Sequence, residues 1–286
     1  MKAGFVGVDF GLSVTDAVLV QGGRTTSHVS LHRPGPADAE LLARVLSSLR
    51  SRPDVGAPAA IGVSGGRSAQ LPPAFEGVAV VHAREPEAIG RGGLALSGVE
   101  RALVVSCGTG TAMIDADATA QSFQHVSGTA VGGGTLEGLG MHLLGLRDAS
   151  AIAELALSGD AGGVDTTLGE VLGSGVGRLP PAATAVNLGR LADIETPAPA
   201  DLAAGLVTMV AQTIALIALN SARTHGLEDV VFLGRLAEFE AVRRNLEAVF
   251  TLYGAGSPRF PEGAALATAL GAALSADAVA SGSVAG

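Results

Sequence analysis

The chain has 286 residues, 48% hydrophobic and 16% charged, with a net charge of −9 and a mean hydropathy of +0.43. That is enough apolar material for a core spread over roughly two domains at about 150 residues each, and it excludes a disordered chain. The acidic balance and the 3% aromatic content argue against a nucleic-acid partner. A single cysteine, Cys107, excludes an internal disulfide and a cysteine-based zinc site. A single lysine, Lys2, excludes a G-K-[ST] phosphate loop and a kinase-type catalytic lysine.

Taken in chain order, Phe5 to Val8 is an apolar run that ends in Asp9-Phe10-Gly11, and Ala17 to Val20 follows after a polar turn. With the turn Gln21-Gly22-Gly23-Arg24 these predict an opening hairpin or meander. From Asp38 to Arg50 the apolar spacing is helical, and Arg52-Pro53-Asp54 stops it. Strands are predicted at Ala59 to Val63 and Val78 to Val81, and a helix at Glu85 to Ser97. Leu103 to Val105 is a strand running into Ser106-Cys107-Gly108-Thr109-Gly110-Thr111, paired with Ala112 to Ile114 and turning at Asp115-Ala116-Asp117. Further helices are expected at Thr135 to Leu146, Leu202 to Thr224, Glu238 to Phe250 and Ala264 to Leu274, with a strand at Val230 to Leu233 and a frayed tail.

No run of about 20 purely apolar residues is present, since Gly205, Thr208, Gln212 and Thr213 interrupt the most apolar helix. The stretch Met1 to Asp9 is too short before its first acid for a signal peptide. A cytoplasmic protein with no membrane partner is the expectation.

A hairpin-led stretch followed by helix, strand and helix occurs once before residue 98 and starts again at Leu103. This weak duplication predicts an α/β protein of two halves, 1–97 and 98–286, with the last helix packing back on the first half and the two hairpin turns on opposite sides of a cleft. Both turns carry glycine at a strand end: Asp9-Phe10-Gly11-Leu12-Ser13 and Gly108-Thr109-Gly110-Thr111. Glycine permits the close backbone approach that phosphate binding needs, and a strand-end carboxylate such as Asp9 suits Mg²⁺ held through water. Gly132-Gly133-Gly134 leads into a helix, which is a further anion-binding pattern.

The run Gly128-Thr129-Ala130-Val131-Gly132-Gly133-Gly134-Thr135-Leu136-Glu137-Gly138-Leu139-Gly140 resembles the signature segment of the type II pantothenate kinases. Ser106 to Thr111, Thr184-Ala185-Val186-Asn187-Leu188-Gly189, Val230 to Gly234 and Gly263 to Ala272 are similar to further segments of that family, in order. The resemblance implies the two-domain actin-like ATPase fold, ATP and Mg²⁺ as cofactors, a small-molecule hydroxyl acceptor, coenzyme A synthesis, acyl-CoA regulation and a homodimer, here expected to pack near Leu202 to Thr224. It also implies roles: Asp9 for the metal; Gly11, Ser13, Gly108, Thr109, Gly110, Thr111, Gly132, Gly133 and Gly134 for the phosphates.

Chemistry positions depart from the family pattern. Its first loop reads D-x-G-G-T-x-x-K, where this chain has Leu12 for the second glycine and Asp16 for the lysine. The family's general base falls on Ala83, with Glu85 as the nearby candidate and Glu87 less favoured; its substrate-binding arginine falls on His125, with Arg84 and Arg91 as displaced cations. Three functions follow as expectations: a small-molecule kinase related to that family, with the same or a changed acceptor; a catalytically inactive nucleotide- or CoA-binding paralogue acting through a partner; and an accessory ATPase that drives conformational change in another protein.

Overall fold

A computed structural model describes residues 4–32, 35–50, 57–66 and 68–282. The chain forms two compact units, one of Met1–Val104, Ile114–His125 and Pro261–Gly286, the other of Val105–Met113 and Val126–Phe260.

The first unit opens with β1 (Phe5–Phe10), β2 (Val14–Gln21) and β3 (Arg24–His32), followed by α1 (Ala39–Arg50), β4 (Ala60–Ser64), β5 (Ala74–Phe75), β6 (Val78–His82) and α2 (Glu85–Ser97). The strands form one sheet in the order β3-β2-β1-β4-β6-β5, with β1 antiparallel to β2 and parallel to β4. The predicted meander is present. Its third strand escaped the sequence reading because β3 is a half-exposed edge with no apolar run, its first three residues being exposed.

Side chains alternate between the two faces of the sheet. Val6, Val8, Phe10, Ala17, Leu19, Ile61 and Val63 close over Leu41, Leu42, Val45, Leu46 and Leu49 of α1. That helix starts where Asp38 accepts a hydrogen bond from the Leu41 amide, 2.8 Å away. On the other face Val18 and Val20 pack against the last helix. A Cβ on Gly7 or Gly62 would lie 1.9 Å from a carbonyl oxygen of that helix, so helix and sheet touch backbone to backbone. Arg52-Pro53-Asp54 lies outside the described residues.

Next come β7 (Arg101–Cys107), β8 (Thr111–Asp117) and β9 (Ser122–Thr129), each with residues in both units. Asp115-Ala116-Asp117, expected to turn, continues β8 instead, because Ala116 is an inward, fully buried position of the strand alternation. The turn is at Ala118 to Gln121, where the Asp117 carboxylate accepts from the Ala120 amide. Then follow α3 (Gly133–Leu144), α4 (Ala149–Ala156), β10 (Thr166–Thr167), α5 (Leu168–Leu172), β11 (Thr184–Val186), α6 (Pro199–His225), β12 (Val230–Leu233), α7 (Glu240–Leu252) and α8 (Ala267–Ala280). The second sheet has the order β12-β7-β8-β9. Read as β9-β8-β7-β12, it repeats β3-β2-β1-β4: a meander whose first strand pairs with the strand after a helical crossover.

Helix α6 has 27 residues with a mean hydropathy of 2.1 over its most apolar window, so by length and composition it could cross a membrane; 72% of that window is buried within the fold. The sequence reading found no such stretch because it required an uninterrupted apolar run. The interruptions sit inside: Gly205 admits the Val164 and Leu188 side chains, and the buried Thr208 hydroxyl donates to Asn245 of α7. The expected frayed tail is helical through Ala280.

Candidate functional site

In the first unit, β1 hands over to β2 through Gly11-Leu12-Ser13. A Cβ on Gly11 would lie 2.6 Å from the Val14 carbonyl oxygen, so the turn requires glycine there. Leu12 is 87% exposed at its tip. Asp9 and Asp16 are cross-strand partners, and Asp9 also registers with Ser64 on β4. Asp16 is buried and accepts a hydrogen bond from Ser30 on β3. Gly65, at φ +80°, leaves room for Asp9: a Cβ there would lie 2.5 Å from Asp9 Oδ1. The Asp9 carboxylate therefore leans over the end of β4.

In the second unit the Gly108–Thr111 turn and the Gly132–Gly134 run are tied together. The Gly133 amide donates to Gly108 O at 2.8 Å and the Gly134 amide to Thr109 O at 2.9 Å, while the Gly132 amide meets Thr135 Oγ1 at 3.2 Å. The Thr111 hydroxyl donates to Val131 O at 2.9 Å. A Cβ on Gly132 would fall 2.7 Å from Thr109 O and 2.8 Å from Gly110 Cα. These amides and the Thr111 hydroxyl are bonded within the protein, so the triple glycine acts by gripping the turn. Gly108 is exposed and Thr109 and Gly110 are half-buried on its outer side. Beneath it, burial pushes the Cys107 thiol up to about 12, which leaves it an inert thiol.

The residues expected on the acceptor side divide clearly. Ala83 is buried in a cluster with Ala88 and Ala272, and its amide donates to Val63 O at 2.9 Å. Arg84 and Glu85 are exposed at the start of α2, where a carboxylate is favoured by the helix dipole. Glu87 is used structurally: it holds Arg91 at 2.8 Å and accepts from Ser275 of α8 at 3.2 Å. Arg91 also covers the Phe123 ring at 5.0 Å, so it is not a spare cation. His125 is exposed on β9.

A site that sequence reading missed lies at Asp165. Its carboxylate is fully buried and accepts from the Leu188 amide at 2.7 Å and Thr184 Oγ1 at 2.9 Å, which pins the segment Thr184–Gly189. Burial raises its pKa, against hydrogen bonds from Leu188, Thr184 and Asn187. A lone acid between Val164 and Thr166 gave no signal of this.

The Fumble family model matches residues 101–274, which carry the gripped turn, the segment pinned by Asp165, and α6. The chain belongs to the Fumble family. Type II pantothenate kinase from Staphylococcus haemolyticus strain JCSC1435 is 29% identical over 177 residues, 61% of this chain and 65% of that protein. The enzyme of the same name from Staphylococcus aureus strain USA300 is 26% identical over 175 residues, 59% of this chain and 64% of that protein. The match thus spans just under two thirds of the length of these curated relatives. Among solved structures, the activator of the 2-hydroxyisocaproyl-CoA dehydratase from Clostridium difficile, with bound ADPNP, superposes with a TM-score of 0.70 at 17% identity, covering 98% of this chain and 96% of that one. A ROK family glucokinase from Streptomyces griseus, in complex with glucose and AMPPNP, gives 0.65 at 13% identity over 96% and 99%. This Fumble-family chain therefore has the expected two-domain actin-like ATPase fold.

Proposed function

We propose that the protein is an ATP-dependent phosphotransferase acting on the hydroxyl of a small molecule other than pantothenate. The observation that carries the reading is the Gly108–Thr111 turn, gripped by Gly132–Gly134 through two backbone hydrogen bonds of 2.8 and 2.9 Å. A rigid glycine turn at a strand end presents its backbone to phosphate at little reorganisation cost. Family membership and the nucleotide analogues in the two structural neighbours support it.

In this reading Thr109 and Gly110 meet the phosphates in the second unit, on a turn that the Gly108 amide closes onto Gly110 O at 2.9 Å; Gly11 and Ser13 form the matching turn of the first unit. Asp9 is the metal ligand; Mg²⁺ supplies charge neutralisation on the transferred phosphoryl group. Glu85 takes the proton of the acceptor hydroxyl, and Arg84 and His125 bind the acceptor. We extend the same reading to a cytoplasmic homodimer, open to regulation by acyl-CoA.

Calorimetric titration with ATP and AMPPNP, coupled to an ADP-release screen over small hydroxy acids, tests this. Nucleotide-dependent ADP release with one of them supports it; no nucleotide binding overturns it. Ala83 favours a second reading, binding without transfer, since the base position holds no titratable group and is sealed among alanines. Nucleotide binding with no ADP release from any acceptor selects that reading.

A further inference from the structure

We propose that the last two turns of α6 and the second half of β9 frame a binding site for a compact, uncharged polyol, separate from both glycine turns. A hollow of about 360 Å³ opens there, lined only by residues of the second unit. That is at the small end of the volumes that hold small molecules, and suits a ligand of one ring.

Helical spacing builds one wall. Ile217, Asn220, Ser221 and Thr224 stand at i, i+3, i+4 and i+7 of α6, so they share a face. Ala218, Leu219 and Ala222 lie between them and are buried in the core. Val126 and Ser127 of β9 complete the lining. The independent observation is unused hydrogen-bonding capacity at one place. Among the described residues, no hydrogen bond ties the side chains of Ser127, Asn220 or Ser221 to the protein. The Thr224 hydroxyl donates to Asn220 O at 2.8 Å, which leaves its oxygen as an acceptor. His225 adds an imidazole with a contact of its own.

The chemistry of the lining selects the ligand. It holds no carboxylate, lysine or arginine, so no fixed charge balances an ionic group. Arg223 is the nearest guanidinium in sequence, and it donates to Tyr253 O at 3.0 Å. The carbonyls of Ala222 and Arg223 accept from the Gly226 amide, which closes the helix end and leaves little there to draw a cation. Hydroxyls and a carboxamide both donate and accept, and the ligand groups that match them in both senses are hydroxyls. Val126 and Ile217 offer an aliphatic surface to the C–H face of a ring. The proposal goes beyond the phosphotransferase reading, because the lining shares no residue with either glycine turn and needs neither nucleotide nor acceptor.

The test is a methyl spectrum of the full chain with labelled isoleucine, titrated with myo-inositol. Inositol monophosphate and tetramethylammonium serve as charged counterparts. We expect myo-inositol to move the Ile217 methyl saturably while Ile61, buried in the first unit, stays in place. Both charged compounds should require higher concentrations for the same shift. Ser221→Ala should weaken binding by about threefold to tenfold, the scale of one neutral hydrogen bond. Asn220→Leu, at an exposed position of α6, fills the hollow and should abolish the shift with the melting temperature unchanged. The site is overturned if Ile217 moves only where Ile61 also moves, or if either charged compound saturates Ile217 at equal or lower concentration. An unaltered response in both variants overturns it as well.

Discussion

The two glycine turns occupy equivalent places in two sheets of the same strand order, yet they are built differently. The second is held from behind by the glycine run at the start of α3, with each grip shorter than 3 Å. The first has an exposed leucine at its tip and two adjacent carboxylates at its base. One turn is fixed by backbone hydrogen bonds from a second glycine run; the other is a tight hairpin with two carboxylates in register at its base.

Breaking the grip should give the largest effect. In Gly132→Val the side chain would meet backbone atoms at 2.7 to 2.9 Å, which cannot be relieved by rotating a side chain. Overpacking of this sort costs about 1–3 kcal/mol, and the turn itself must move. We expect loss of ATP binding in calorimetry with a lowered thermal midpoint. Gly133→Val meets only Gly108 O, at 3.1 Å, and should bind nucleotide less weakly than Gly132→Val. The reverse order would mean that the outer faces of these glycines, not their packing, matter.

Next in size is pantothenate turnover. Removal of a general base costs about 10²–10⁴ in rate, and histidine replaces a bidentate arginine contact poorly. Unmodified protein should phosphorylate pantothenate very slowly or not at all in an ADP-coupled assay. Simple restoration will not repair it: Ala83→Glu drives a carboxylate among Ala88 and Ala272, and should lower the melting temperature without restoring turnover. Brisk pantothenate phosphorylation by the wild type would show that Glu85 and Arg84 had taken over both roles.

How far the sequence disclosed this depended on the length scale of each signal. Helices α1 and α2 and strand β12 were legible because apolar spacing is a local property. The gripped turn was legible as two separate glycine patterns, while their mutual bonding was not, because 24 positions separate Gly108 from Gly132. Glu87 and Arg91 read as charges on the helix surface, and their partners Ser275 and Phe123 are too distant in sequence to be foreseen. Asp165 left no local trace at all, since its partners Thr184 and Leu188 are met only on folding.

A smaller effect sharpens the contrast within the second unit. Asp165, just before α5, and Glu170, in the first turn of α5, have opposite pKa shifts. Burial raises Asp165, so the folded state holds a proton that the unfolded chain has released, and stability falls as pH rises through that window. The Thr167 amide and hydroxyl lower Glu170, so its contribution is present above the ordinary glutamate range and is lost as pH falls through the depressed value. In melts followed by circular dichroism, Asp165→Asn should steepen the loss between pH 7 and 4, and Glu170→Gln should flatten the loss only below the ordinary glutamate range, in a scan continued to more acid pH. Asp165→Ala, which leaves the Leu188 amide and Thr184 hydroxyl without their acceptor, should cost about 2–3 kcal/mol at neutral pH.

The smallest expected change is at the tip of the first turn. Leu12 stands where the resembling family has a second glycine, and it is 87% exposed, so it contributes almost no packing. Leu12→Gly should therefore act chiefly through the flexibility of the unfolded chain, costing about 0.4–1 kcal/mol. Its effect on nucleotide is the informative part. Were Leu12 the obstacle to phosphate binding at this turn, glycine would raise ATP affinity tenfold or more. The buried Asp16 beside Asp9 argues otherwise, because an anion at the base of the turn repels the triphosphate whatever residue caps the tip. We expect ATP affinity in Leu12→Gly within threefold of wild type, and a gain only when Asp16→Asn is added. A tenfold gain from Leu12→Gly alone would make the two turns alike again, separated by a single side chain rather than by their electrostatics.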